Sequence, residues 1–296
     1  MKKIINILFS CILWVFQLIS IILPFRLRTL LGKFIGKIIF CCWKSRKNIA
    51  IENLTYSFPE KSKIEIKNIA RGSFESIAIT FLEFVAFNNF STNKLKKILD
   101  FDEGLRLIND ANERKQGMLF LSGHFGNWEL IAYAVGIFTE LPITIIVKPQ
   151  ASEIVDKKLN KIRTSRGNKI VSMYNAARTI ITEIKLGNVI ALLVDQSATK
   201  SFDVFVDFFG RPASTFKVVA ELVLRYKVSL IMGFAIRQPD GKYKAELIEI
   251  EHSDLDFTQE NILVLTQRHT KHLENIIRKY PDQWAWMHRR WKHSPK

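Results

Sequence analysis

Cysteine is nearly absent from this chain. Its 296 residues hold three, Cys11, Cys41 and Cys42, and none follows position 42. A disulfide framework is therefore excluded for everything downstream, which suits a reducing cytoplasm. Cys41 and Cys42 adjoin in an apolar segment and read as membrane-proximal packing, not redox chemistry. No zinc-type Cys/His spacing and no nucleic-acid module is present, so neither a metal site nor a nucleic-acid partner is expected. Internal repeats and low-complexity linkers are also missing, and nothing marks a boundary within the main domain. Acid is missing from the N-terminal region, where the first carboxylate is Glu52.

What is present is basic and apolar. Lys and Arg outnumber Asp and Glu by 44 to 28, a net charge of +16, and 48% of residues are hydrophobic. Such a surface seeks polyanions. With nucleic acid set aside, an anionic membrane and an acidic protein remain. The length admits one large α/β domain with appendages and a sizeable core.

From Ile4 to Phe25 there is no charge. About 20 residues in a helix span a hydrocarbon core, so residues 1–25 read as an N-terminal membrane-anchor helix. A cleaved signal would carry a shorter apolar core and a small-residue cleavage site, and none is evident near Leu23-Pro24-Phe25. A monotopic helix in the interface stays open. Arg26, Arg28, Lys33 and Lys37 follow the run, which favours a cytoplasmic catalytic domain. Residues 26–50 read as an amphipathic membrane-proximal segment: Leu30, Leu31, Phe34, Ile35, Ile38 and Ile39 recur at helical spacing while Lys33 and Lys37 share a face. An ordinary helix packed on the domain fits the same pattern. Residues 51–296 form the remaining α/β domain.

Residues 60–115 read as several helices broken at Pro59 and Ser91-Thr92-Asn93. Beyond them strands alternate with helices. Strands are predicted at 117–122, 143–147, 188–194, 229–236 and 244–250, and helices at 127–138, 151–165, 174–186, 214–227 and 258–279. This order predicts an α/β fold with a largely parallel sheet flanked by helices. Pro239-Asp240-Gly241 predicts a hairpin between the last two strands, which makes the sheet mixed. Ligands of such sheets sit beyond the carboxyl ends of the strands. His124 follows one strand and Asp195 ends another, so both are candidates for one cleft rim.

The stretch Gly123-His124-Phe125-Gly126-Asn127-Trp128-Glu129 carries the chemistry. Five residues on a helix rotate through about 500°, which leaves His124 and Glu129 roughly 140° apart. They meet only if His124 lies in a turn before the helix and Glu129 in its first turns. Glycines at 123 and 126 suit that turn. An imidazole oriented by a carboxylate is a general base effective near neutral pH. Spacing alone equally allows a capping histidine and a solvated acid. Ser122 lacks a nucleophile elbow, so a serine nucleophile is disfavoured. Between Lys148 and Arg178 eight basic residues meet two acids, Glu153 and Asp156. By default this is a solvated face. His269 and His272, three apart on a helix, read as a solvated pair.

His-Phe-Gly-Asn-Trp-Glu resembles the His-four-residues-acid motif of the lysophospholipid acyltransferase superfamily. Arg163-Thr164-Ser165-Arg166-Gly167, Asp195-Gln196, Phe208-Phe209-Gly210 with Ala213 and Thr215, and Trp286-Met287-His288-Arg289-Arg290-Trp291-Lys292 narrow the resemblance. Together they are similar to the bacterial lipid A biosynthesis lauroyl/myristoyl acyltransferases. The resemblance implies a glycerolipid acyltransferase-like fold and a membrane-bound O-acyltransferase at the bacterial inner membrane. It implies transfer of a fatty acyl chain from acyl–acyl carrier protein to a hydroxyl of a lipid A precursor, with acyl carrier protein, lipid A precursor and anionic membrane as partners. No cofactor is implied, and coenzyme A remains possible as the acyl carrier. The catalytic pair would be His124, the general base, and Glu129, which orients it. Substrate-binding candidates are Arg166, Asp195, Arg163 and Asn127, with Asp195 orienting Arg166 or capping a helix. Phe202, Phe205, Phe208 and Phe209 would wall an acyl-chain tunnel, or else form plain core. Trp284 and its neighbours would lie at a membrane interface, or pack on the domain. The alternatives are the same chemistry on another membrane glycolipid or aminolipid, and a silent lipid-binding protein.

Overall fold

Met118–Ser122 forms β2, and all five residues are buried. A strand with no polar face fits a parallel sheet covered on both sides. In the computed structural model, which describes residues 14–139, 141–199 and 203–295, β2 lies inside a seven-stranded sheet. The order is β1 (Leu99–Asp100), β9 (Tyr243–Glu249), β8 (Ser229–Arg237), β2, β5 (Val189–Leu193), β3 (Ile143–Val147) and β4 (Lys169–Ser172). All neighbours run parallel except β8 and β9, the predicted hairpin. The five predicted strands and the alternating helices are present, except that residues 214–216, predicted to open a helix, are extended and the helix starts at Val218. The short β1 and β4 were not anticipated. Neither was a separate antiparallel ribbon, β6 (Asp203–Phe208) with β7 (Arg211–Phe216).

Successive residues of β2 feed two cores, as strand alternation requires. Leu119 and Leu121 face a core shared with α9 (Ala176–Lys185), α10 (Val218–Tyr226) and α11 (Gln259–Lys279). Met118 and Phe120 face a second core, shared with α5 (Thr92–Ile98), α6 (Asp102–Glu113) and α7 (Trp128–Phe138). Ser91 caps α5 by accepting from Lys94 N, so that polar stretch starts a helix as well as ending one.

At the N-terminal side, residues 14–22 are helical (α1), followed by α2 (Phe25–Cys42), α3 (Lys44–Ser57) and α4 (Lys63–Phe84). α2 presses on α4 through Arg28, Gly32, Gly36 and Phe40. A Cβ on Gly36 would stand 2.4 Å from Glu75 Cα, so only glycine admits this approach. The opposite face leaves Leu27, Leu30, Phe34 and Ile38 exposed. The packed-helix reading therefore holds for the face that carries Gly32 and Gly36. Among the described residues no helix is long and apolar enough to cross a membrane. The anchor expected over residues 1–25 falls, for its first 13 residues, outside the described ones. Cys41 and Cys42 are exposed free thiols at the end of α2, not packed ones.

The C-terminal segment is interior. Trp284, Trp286 and Trp291 are buried against Phe208 and Phe209 in an aromatic cluster. This corrects the membrane-interface reading of the tryptophans and the tunnel-wall reading of these two phenylalanines. Phe205 is exposed, and Phe202 lies outside the described residues.

Candidate active site

Strand register brings the central pair together. β2 and β5 run parallel with Ser122 opposite Leu193, and Val194 N–H continues the pairing to Ser122 O at 3.0 Å. His124 and Asp195 each lie two residues past those partners, so they emerge side by side at the carboxyl end of the sheet. His124 Nδ1 is 2.9 Å from Asp195 Oδ1, and the His124 backbone N–H donates to Asp195 Oδ2 at 2.8 Å. Trp284 Nε1–H donates to the same Oδ2 at 2.9 Å. Asp195 is buried, while His124 keeps 27% of its side chain exposed, enough to meet a ligand.

The expected assignment of the orienting carboxylate is therefore corrected. Asp195 holds His124; it neither orients Arg166 nor caps a helix. Glu129 turns the other way, into a bidentate pair with Arg163: Nε to Oε2 at 3.0 Å and Nη2 to Oε1 at 2.5 Å. Glu129 lies in the first turn of α7 and faces α8 (Glu153–Arg163), whose last residue supplies the guanidinium.

The electrostatics follow from those contacts. Burial disfavours a charged His124, but the charge and hydrogen bond of Asp195, and the charge of Glu129, outweigh it and raise the imidazole pKa above its ordinary value. Burial opposes ionisation of Asp195 too, yet His124 and Trp284 hold its pKa at about 2. A carboxylate that accepts from Nδ1–H leaves Nε2 as the free, proton-accepting nitrogen.

The turn bearing His124 is tied on every side. Gly126 has φ +54°, and a Cβ there would stand 2.1 Å from Ala235 O. Its N–H bonds Gln283 O, and its carbonyl accepts from Thr80 Oγ1 at 2.8 Å. Asn127 is fully buried, so it is a support, not a surface that meets substrate. Its Oδ1 caps α7 at Leu130 N, and its Nδ2 donates to Glu83 Oε2 at 2.7 Å. Glu83, also buried, accepts from Tyr243 OH, and Arg237 joins Tyr243 OH, Ser76 and Thr80. Glu83 on α4 and Trp284 were missed by sequence reasoning. A carboxylate in an apolar helix face is the signal that marks Glu83. Ala285 N–H closes the turn onto His124 O at 3.0 Å.

Arg166, in the loop after α8, donates to Tyr133 OH and Phe90 O. His269, expected to be solvated, is fully buried; burial first, then Arg290 and His272, lower its pKa to about 3. A groove of about 1020 Å³ between β6, β9 and α11 is lined by Phe205 but by none of His124, Asn127, Glu129, Arg163, Arg166 and Asp195.

A solvent-reached imidazole with a buried carboxylate behind it, and an arginine–carboxylate pair beside it, can remove a proton from a hydroxyl and stabilise the charge that forms. Comparison with known proteins identifies a family of acyltransferases. The family model described as bacterial lipid A biosynthesis acyltransferase matches residues 3–293. The lipid A biosynthesis lauroyltransferase of Escherichia coli K12 is 26% identical over 277 residues, covering 93% of this chain and 88% of that protein. The palmitoleoyltransferase of the same organism is 25% identical, covering 92% and 87%. Its myristoyltransferase is 21% identical, covering 87% and 77%.

Proposed function

The chain belongs to the bacterial lipid A biosynthesis acyltransferase family, and from that premise we propose that it moves a fatty acyl chain from acyl–acyl carrier protein to a hydroxyl of a lipid A precursor. That it is an acyltransferase follows from the family and its relatives. In this reading His124 Nε2 takes the proton of the acceptor hydroxyl. The oxygen attacks the thioester carbonyl carbon, the carbon–sulfur bond breaks, and the thiolate leaves with the proton the imidazolium returns. Asp195 holds the ring through Nδ1–H and stabilises the imidazolium. Glu129 adds a negative charge to that stabilisation. Arg163, fixed by Glu129 and Asn160, sets a positive charge near the reacting centre. No covalent enzyme intermediate is needed, because the nucleophile is the acceptor's own oxygen. The observation that carries the reading is the 2.9 Å contact between His124 Nδ1 and Asp195 Oδ1.

Membrane attachment belongs to the same reading. It is supported by exposed Trp14, Ile22, Leu30 and Phe34 on α1 and α2, by exposed Lys33 and Lys37 among them, and by the net charge of +16. Apolar side chains interleaved with cations suit an anionic bilayer surface. The catalytic domain then faces the cytoplasm.

The test is mass spectrometry of products formed by detergent-purified protein from acyl–acyl carrier protein and a lipid A precursor, with His124→Ala alongside. One added acyl mass in wild type only is expected. An equal yield from His124→Ala would remove His124 from the chemistry. No added mass from folded wild type would remove this acceptor or this donor.

A further inference from the structure

Three cations converge on Phe90. The Arg28 guanidinium carbon, from α2, lies 5.3 Å from the ring centroid. Lys94 Nζ, from α5, lies 4.3 Å from it. Arg166 Nη2 donates to the Phe90 carbonyl at 2.8 Å, and its Nε donates to Tyr133 OH at 3.2 Å. Gathering like charges is unfavourable unless an anion joins them. Desolvation first, and then the charge of Arg28, lower the pKa of Lys94. The carboxylate that acts on Arg28 is Glu83, which Arg237 shares. Arg28 is only 1% exposed, yet its Nε and Nη1 have no hydrogen-bond partner among the described residues. Lys94 and Arg166, by contrast, are open to solvent. The cluster thus has a buried, underused guanidinium behind two accessible cations.

Its place relative to the catalytic pair is set by α7. Glu129 and Tyr133 are four residues apart, on one face and about 6 Å apart along the axis. Arg163 docks on the first and Arg166 on the second. The cluster therefore lies one helical turn beyond the Glu129–Arg163 pair, within the span of a single glycolipid headgroup.

We propose that Lys94 and Arg166, backed by Arg28, form a binding site for a phosphate group of the acyl acceptor, and that this contact sets the acceptor's position against His124. The inference rests on the acyltransferase reading above for the identity of the acceptor. The Arg166 N–H groups beyond those spent on Tyr133 and Phe90, together with a lysine point charge, suit a phosphate monoester. Phosphate is also carried by the donor's prosthetic arm and by membrane phospholipid, and the experiment separates these sources.

Acceptor and donor kinetics are measured for wild type, Lys94→Ala and Arg166→Gln, using a phosphorylated lipid A precursor and the same lipid after phosphatase treatment. Each variant is expected to raise the KM for the phosphorylated acceptor about tenfold, with kcat and donor KM unchanged. Dephosphorylation should cost wild type a similar factor and cost the variants little more. An equal loss on both acceptors would overturn the site, as would a rise in donor KM. So would an effect that follows the anionic phospholipid content of the micelle. Binding of both lipids to the His124→Ala protein, with and without Lys94→Ala, is measured in parallel without turnover. If wild type transfers nothing while the phosphorylated lipid still binds more tightly through Lys94, the reaction assignment fails and the anion site stands. If binding ignores both the phosphate and Lys94, the site fails.

Discussion

Trp284 donates its indole N–H to Asp195 Oδ2, the same oxygen that receives the His124 backbone N–H. The Asp195 carboxylate is therefore held by three donors on two oxygens, one of them from the C-terminal segment. The charge of His124 first, and then each donor, favours the ionised form, which is why burial does not neutralise Asp195.

Asp195→Asn keeps the shape and removes the charge. In wild type the base is neutral only above a pKa raised past the usual histidine value of about 6.5, so activity should climb with pH through a limb above that value. Without Asp195, burial acts with less opposition, and the limb should move to lower pH. The plateau should fall by roughly 10²- to 10⁴-fold, because the tautomer is no longer enforced. A kcat/KM profile against pH checks both. An unmoved limb would remove Asp195 from the mechanism.

Trp284→Phe removes one donor and little volume. Leaving a buried carboxylate oxygen short of one hydrogen bond should cost about 1.5–3 kcal/mol. Urea denaturation would show it as a lower midpoint at unchanged m-value.

Glu129 and Arg163 act as one unit, at 14% and 15% side-chain exposure. Glu129→Gln and Arg163→Met should each lower kcat at least tenfold, since each strands a charge beside His124. The double variant should be no worse than the poorer single one. Additive losses in this cycle would show that the two residues contribute independently.

Gly126→Ala demands a left-handed residue with a Cβ 2.1 Å from a backbone oxygen. Destabilisation of at least about 2 kcal/mol is expected, together with loss of transfer. Thermal unfolding measures the first and product mass the second. Unchanged stability would mean that the turn relaxes freely.

Sequence periodicity was enough to locate the five main strands and to place His124 and Asp195 at strand ends. It did not supply the neighbour order of the strands. Only the alignment of Ser122 with Leu193 makes Asp195, and not the nearer Glu129, the partner of His124. The family resemblance favoured the closer carboxylate, and local spacing could not correct it, because it carries no information about what faces α7. The β6–β7 ribbon was hidden for a different reason. Its two-residue turn is Phe209-Gly210, with φ +58° and +73°, where asparagine or aspartate before glycine is the usual signal. Pro212 is a residue that central strands exclude, yet a two-stranded ribbon offers an outer edge that tolerates it. His269 sits on a correctly expected helix. Whether it met water or core depended on which face of α11 was covered, which one helix cannot disclose.

Asn53 donates to the carbonyls of Trp286 and His288, 233 and 235 positions further along the chain, and Ser73 reaches Trp284 across 211. Closing such long loops is slow, since their entropy is lost before any contact repays it. The segment that steadies Asp195 is therefore expected to dock late in folding. Refolded protein should regain helical signal well before it regains transfer, and heat should abolish transfer together with the cooperative loss of the whole fold.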